Sequence, residues 1–217
     1  MQFISGFYNQ HIPEWNWMLE NMKASAERFG HSVKIFPFPS IDPWLVEYPE
    51  IYQTICWKYK AIFMLEQLKM KREHLAWIDG DCLIVKRLDI EEIFSGCDLA
   101  LTLRDTSETQ ATKTPLVNGY INLGVIFARN SDKCIDFFEQ VREELLLSVF
   151  DQEAVNKAIL RHSEMGEHGD ILDIRGCKVK LLDCREYNFF YFNDDHSKAR
   201  ILHFKGIMRK FYEDFIH

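Results

Sequence analysis

Apolar and polar positions recur along this chain in two periods, one near two residues and one near 3.6. Gln2 to Tyr8 is a short apolar run that predicts a strand, and Glu14 to Phe29 carries Trp17, Met18, Met22 and Phe29 at helical spacing before Gly30. Val33 to Phe38 reads as a second strand, stopped by Pro37 and Pro39, and a loop with Pro43 and Pro49 follows. In Trp57 to Met70 the apolar stripe Ala61, Ile62, Leu65 and Leu68 is set against polar Lys58, Lys60 and Glu66, which predicts a helix. Leu75 to Ile78 is a short buried strand running straight into Asp79-Gly80-Asp81, and Cys82 to Val85 continues apolar.

The alternation persists. Leu99 to Leu103 and Tyr120 to Ala128 read as strands, separated by a polar, small-residue loop from Arg104 to Pro115. Asp132 to Leu147 is an amphipathic helix with Ser131 as its N-cap, and Asp151 to Leu160 is a shorter helix. A loop from Arg161 to Asp170 precedes strand-like pieces at Lys178 to Leu182 and Arg200 to Phe204. There is no internal repeat and no linker, so residues 1–217 are read as one domain. Strands alternating with helices over short connections predict an α/β fold, with a mainly parallel central sheet flanked by helices. Ligands of such sheets bind beyond the carboxyl ends of the strands, so the residues to inspect are those that follow apolar strands.

Composition narrows the class. With 217 residues, 47% of them hydrophobic, the chain can bury a full core. Its formal charge of −7 argues against nucleic acid or an anionic membrane as the main partner. No apolar run approaches the roughly 20 residues of a membrane span, and no basic segment followed by an apolar run opens the chain. The six cysteines are scattered without a C-x-x-C pair, which reads as buried hydrophobes in a reducing, cytoplasmic setting. Oligomeric state is not encoded in any of this.

A D-x-D triplet alone carries little weight in a chain with 15 aspartates, but its context does. Asp79 and Asp81 sit between two apolar segments, and a carboxylate pair that close to a core repels itself unless something positive is present. Two readings are open: a divalent cation held by carboxylate oxygens, with Gly80 letting a ligand approach the backbone, or a solvated tight turn. A second feature is His203-Phe204-Lys205-Gly206, directly after the apolar Ile201-Leu202 and followed by Arg209 and Lys210. His203 with Asp79 and Asp81 around one ion, and cations nearby for phosphate, would complete a metal–diphosphate site. An imidazole ligand tilts the metal from Mg²⁺ toward Mn²⁺.

Taken together, these motifs resemble those of GT-A-type, metal-dependent nucleotide-sugar glycosyltransferases, in spaced segments over most of the chain. Trp77-Ile78-Asp79-Gly80-Asp81 is similar to the family's strand-borne D-x-D, and Asn122-Leu123-Gly124-Val125-Ile126-Phe127 to the N-x-G strand lining the donor sugar. Arg129-Asn130 after it resembles the galactomannan galactosyltransferase and xyloglucan xylosyltransferase relatives. Asp151-Gln152-Glu153-Ala154 resembles a D-Q motif opening a helix near the anomeric carbon, and His203-Phe204-Lys205-Gly206 the H-F-x-G segment whose histidine is the third metal ligand. Two departures stand out. Glycogenin-like relatives show H-x-x-G-x-x-K-P-W, whereas Arg209 stands at the lysine position and no Pro-Trp follows. The usual acidic residue after the first strand is also missing. The compact size is similar to short glycosyltransferase domains within larger proteins of algal viruses.

The resemblance implies a single GT-A domain with a nucleotide-binding N-terminal part and an acceptor-side C-terminal part. It implies transfer from a nucleoside diphosphate sugar, a UDP-sugar above others, to a glycan acceptor with retention of configuration. Asp79, Asp81 and His203 would hold Mn²⁺, or Mg²⁺. Gly6, Phe7, Tyr8, Lys58, Lys60, Gly80, Lys205, Gly206 and Arg209 would contact the donor, and Asn122, Asp151 and Gln152 would lie near the reacting sugar. An inverting enzyme would need a carboxylate base, for which Asp105, Glu153, Asp194 and Asp195 are available. The alternatives are a haloacid dehalogenase-like phosphatase, whose pattern asks for Thr or Val where Leu83 stands, and an inactive nucleotide- or glycan-binding module.

Overall fold

The computed structural model describes residues 1–7, 13–37, 49–70, 73–105, 119–191 and 194–216; the side chains of 7, 13, 37, 49–57 and 206–208 are not described. In chain order the elements are β1 (Gln2–Phe7), α1 (Pro13–Arg28), β2 (Val33–Pro37), α2 (Pro49–Met70), β3 (Leu75–Ile78), β4 (Cys82–Ile84), α3 (Ile90–Ile93) and β5 (Leu99–Leu103). There follow β6 (Ile121–Ala128), α4 (Asp132–Leu145), α5 (Asp151–Leu160), β7 (Ile171–Ile174), β8 (Cys177–Asp183), α6 (Cys184–Tyr187), β9 (Ile201–His203) and a 3₁₀ helix, Gly206–Phe215. Ser131 caps α4 through its side chain, as the sequence predicts. Helix α2 begins at Pro49, not Trp57, because proline is tolerated in a first helical turn, where its missing N–H has no partner to lose.

One sheet organises the chain, in the order β2-β1-β3-β6-β5-β8-β7. β1 pairs in parallel with β2 and β3, and β5 in parallel with β8. β6 runs antiparallel between β3 and β5, and β7 antiparallel beside β8, so five of the seven strands share one direction. β7, Ile171-Leu172-Asp173-Ile174, is a largely exposed edge strand, too short for its period to show in the sequence. It is joined to β8 by Arg175-Gly176, both at positive φ, as a tight hairpin requires.

Strand alternation builds both faces of the core. Leu75 and Trp77 of β3 pack with Met64 and Leu68 of α2, Phe137, Phe138 and Val141 of α4, and Val155 and Ile159 of α5. Ala76 and Ile78 point the other way, onto Leu19, Met22 and Ala26 of α1 and onto Cys82 and Ile84 of β4. β4 and β9 form a separate two-stranded ribbon over that second face. Leu83 and Leu202, on the ribbon's outer side, join Met18, Phe204 and Tyr212 in a third cluster that seats the 3₁₀ helix. Cys82, Cys97, Cys134, Cys177 and Cys184 are buried and free, as expected.

Candidate active site

Asp79-Gly80-Asp81 is the step by which the chain leaves the large sheet at β3 and enters the ribbon at β4. The Cys82 N–H donates to the Asp79 carbonyl at 3.1 Å and the Asp79 N–H to the Gly124 carbonyl at 2.9 Å, which pins the turn to β6. The Asp79 carboxylate is clamped from α2 and β3. Lys60 Nζ lies 2.7 Å from Oδ1 and 3.0 Å from Oδ2, and Trp77 Nε1 donates to Oδ1 at 2.7 Å. Gly6 of β1 makes room for this indole: a Cβ at residue 6 would sit 2.6 Å from Trp77 Cη2.

Asp81 is 5% exposed and is reached from the far end of the chain. The β4–β9 register sets Cys82 opposite His203, so the imidazole lies beside Asp81, with Nε2 3.3 Å from Asp81 Oδ1 and 3.8 Å from Asp79 Oδ2. Arg209 of the 3₁₀ helix donates to Asp81 Oδ2 from Nε at 3.2 Å and Nη2 at 2.9 Å, its guanidinium stacked over Trp15. Burial pushes the Asp81 carboxyl up, but His203 and Arg209 outweigh it and hold the group well below the usual carboxylate range.

Among the described residues, Asp81, Cys82 and His203 bring ligand atoms within 4.8 Å of one another, while Asp79 flanks them with both oxygens engaged by Lys60. Burial, with the Asp81 and Asp79 charges beside it, raises the Cys82 thiol well above its ordinary value. The two carboxylates and the imidazole make a donor set that suits a hard or borderline divalent cation.

Across the β3–β6 seam the structure brings together the second group of residues. Asn122 of β6 accepts the Gly124 N–H on Oδ1 at 2.9 Å, and its Nδ2 is buried with no partner among the described residues. Gln152 Oε1 accepts from the Leu123 N–H at 3.1 Å and from Arg104 Nη2 at 3.3 Å. A backbone N–H can only donate, so the Gln152 carbonyl is turned inward and Nε2 is the amide atom left for other contacts. Asp151 is 6% exposed and accepts the Gln152 N–H on Oδ1 at 2.7 Å. Burial pushes its carboxyl up to about 6; the nearby Asp79 adds to the rise and Lys60 opposes it.

The remaining predicted residues are placed as follows. Lys58 is not at the carboxylates: its Nζ donates to the Leu145 carbonyl at 3.1 Å and caps the end of α4. Lys205 Nζ sits 3.3 Å from the Phe190 ring centroid. Gly80 follows Asp79 in the turn and Gly206 opens the 3₁₀ helix. The Phe7 side chain and Tyr8 lie outside the described residues, as does the polar segment 106–118. Asp105 and Asp194 both pair with Arg185, at 2.6 and 3.0 Å; Glu153 pairs with Lys157 at 2.7 Å and Asp195 bonds Ser197 at 2.8 Å. A cavity of about 630 Å³ opens behind Arg209, between Glu14 and Trp17 of α1 and Tyr212.

The sequence reading gave no individual role to the side chains of Trp77, Arg104, Thr102, Asn156 and Asn188. Asn156 accepts the Tyr120 and Ile121 N–H groups and so fixes the start of β6. Arg104 follows the apolar run Leu99–Leu103, the one signal that could have marked it.

No family model matches this sequence, and no curated protein matches it. Among solved structures the chain is similar to a glycosyltransferase involved in the glycosylation of the major capsid of PBCV-1, with a TM-score of 0.64 and 13% identity, over 99% of this chain and 97% of that one. It is similar also to WbbM, a bifunctional glycosyltransferase in its apo form, with a TM-score of 0.57 and 12% identity, over 99% of this chain and 48% of that one. At such identities the likeness is one of fold. The ordered motifs and the seven-stranded sheet thus agree: the chain has the GT-A glycosyltransferase fold.

Proposed function

We propose that this protein transfers a sugar from a nucleoside diphosphate sugar, a UDP-sugar above others, to a glycan acceptor. The observation that carries the reading is the meeting of Asp79, Asp81 and His203 at one turn, with Arg209 beside them. A bound Mn²⁺, or Mg²⁺, would supply positive charge against the departing diphosphate. Asp79, Asp81 and His203 would hold that ion, and Arg209 and Lys205 would add charge-assisted hydrogen bonds to phosphate oxygens. Lys60 offsets the Asp79 charge, and Gly80 and Gly206 let the backbone approach the diphosphate.

The donor sugar lies over β6 and the start of α5. Asn122 Nδ2, without a partner among the described residues, and Gln152 Nε2 are donors for its hydroxyls, and Asp151 faces the same region as a buried acid. Gly6, at the end of β1, is assigned to the nucleoside side. The four carboxylates weighed as bases for inversion are all engaged in ion pairs or turn hydrogen bonds, which favours retention. In this reading residues 1–217 form one catalytic domain that acts in the cytoplasm, with the nucleotide on its N-terminal part and the acceptor on its C-terminal part. Among the described residues, no helix is long and apolar enough to cross a membrane.

Calorimetric titration of UDP, with GDP as control, tests this with and without Mn²⁺ on the wild type and on Asp81→Ala. Manganese-dependent UDP binding that disappears in the variant is expected. Binding that ignores the metal, or survives the substitution unchanged, contradicts the assignment. NMR of the product's anomeric proton then tests retention.

A further inference from the structure

We propose that Asn188 and Thr102 are positioning residues that decide which nitrogen of His203 faces the Asp79–Asp81 turn. The inference rests on the proposed function, since it concerns a histidine read there as a metal ligand. It starts from a hydrogen-bonded chain of fully buried groups: Thr102 Oγ1 to the Asn122 carbonyl at 2.6 Å, Asn188 Nδ2 to Thr102 Oγ1 at 2.8 Å, and His203 Nδ1 to Asn188 Oδ1 at 2.7 Å.

The direction of this chain follows from its first member. A backbone carbonyl only accepts, so the Thr102 hydroxyl must spend its single proton on Asn122 O. Only lone pairs then remain on Thr102 Oγ1, so the Asn188 atom touching it is the amide nitrogen. The carbonyl Oδ1 of Asn188 is therefore the atom that meets His203, and Nδ1 must carry a hydrogen to donate to it. Nε2 is left as the nitrogen that offers a lone pair, and it is the one 3.3 Å from Asp81 Oδ1. Histidine ligands are tuned in this way by the hydrogen bond on their other nitrogen.

The fold makes a place for this chain. The β5–β6 register slips after Leu101, from Leu101↔Ile126 to Thr102↔Asn122, so residues 123–125 bulge away from β5. Asn188, at the end of α6, reaches into the irregularity. Gly124 leaves space for the imidazole: a Cβ there would lie 2.4 Å from His203 Cε1 and 3.2 Å from Asn188 Oδ1.

Two measurements test the proposal. In metal-free protein, ¹⁵N NMR of the neutral His203 ring should show the proton on Nδ1 and a bare Nε2. Calorimetric titration with Mn²⁺ in the presence of UDP should show about 10–100-fold weaker metal binding in Asn188→Leu and Thr102→Val. Asn188→Asp keeps an acceptor for Nδ1–H and should restore affinity to within a few-fold of wild type; it also serves if the leucine variant does not fold. A wild-type His203 protonated on Nε2, or unchanged metal affinity in both apolar variants, overturns the proposal and leaves the proposed function standing. A wild type that shows the Nδ1–H form yet binds no Mn²⁺ overturns the proposed function, and this role with it.

Discussion

Asp151 opens α5 almost out of reach of water, and burial lifts its carboxyl from 3.8 to about 6. The folded protein therefore prefers this acid protonated, whereas the unfolded chain ionises it as an ordinary aspartate. For a group raised on folding, its favourable contribution is complete below the unfolded value near 3.8 and is lost as pH rises through about 6. At about 1.36 kcal/mol per pH unit, the loss comes to about 3 kcal/mol above that window. Asp151→Asn removes the titration while keeping an oxygen to accept the Gln152 N–H. With chelator present, thermal melts of the variant and the wild type should nearly coincide near pH 4. At about pH 8 the variant should melt higher, by about 2–4 °C for each kcal/mol. A variant less stable at every pH, or a gap that does not grow between pH 4 and pH 8, refutes the reasoning.

Other substitutions separate neighbouring roles. Lys60→Met should weaken metal-dependent UDP binding by about tenfold or more, because Asp79 loses its clamp. Lys58→Met should leave that binding unchanged and cost only about 1 kcal/mol of stability for the lost hydrogen bond to Leu145; a matching loss of UDP affinity would contradict the placement of Lys58. Gly124→Ala should destabilise by about 1–3 kcal/mol in urea unfolding and abolish Mn²⁺ binding, since its Cβ overlaps the imidazole. Trp77→Phe removes the donor to Asp79 Oδ1 and should cost about 1–3 kcal/mol, read in the same unfolding experiment.

Local pattern was enough for much of the fold. Val155 and Ile159 at helical spacing, the buried run Leu75 to Ile78 and the Ser131 cap each express a preference that holds within a few residues of chain. The carboxylates of Asp79 and Asp81 were legible for the same reason: two acids between apolar segments are anomalous wherever they occur. β7 was hidden because four residues, although mostly apolar, are too few to show a period, and the first turns of α2 were missed because a first-turn proline at Pro49 resembles a loop residue in sequence.

What the sequence by itself determined is an α/β domain whose chemistry gathers at Asp79-Gly80-Asp81 and at His203. Only the tertiary structure decided how these meet. Pairing of β4 with β9 puts His203 beside Asp81, the indole of Trp77 and the ammonium of Lys60 orient Asp79, and a slip in the β5–β6 register admits Asn188. Lys58 and Lys60 are alike in sequence, two residues apart on one helix, yet one caps α4 and the other grips Asp79. The physical reason is range. Backbone preferences and apolar periodicity act over neighbouring residues and are written in the chain, whereas the direction of a buried hydrogen bond depends on which distant carbonyl it ends against. Asn188 illustrates this: nothing around it in sequence marks it, and its orientation is set by the Asn122 carbonyl through Thr102.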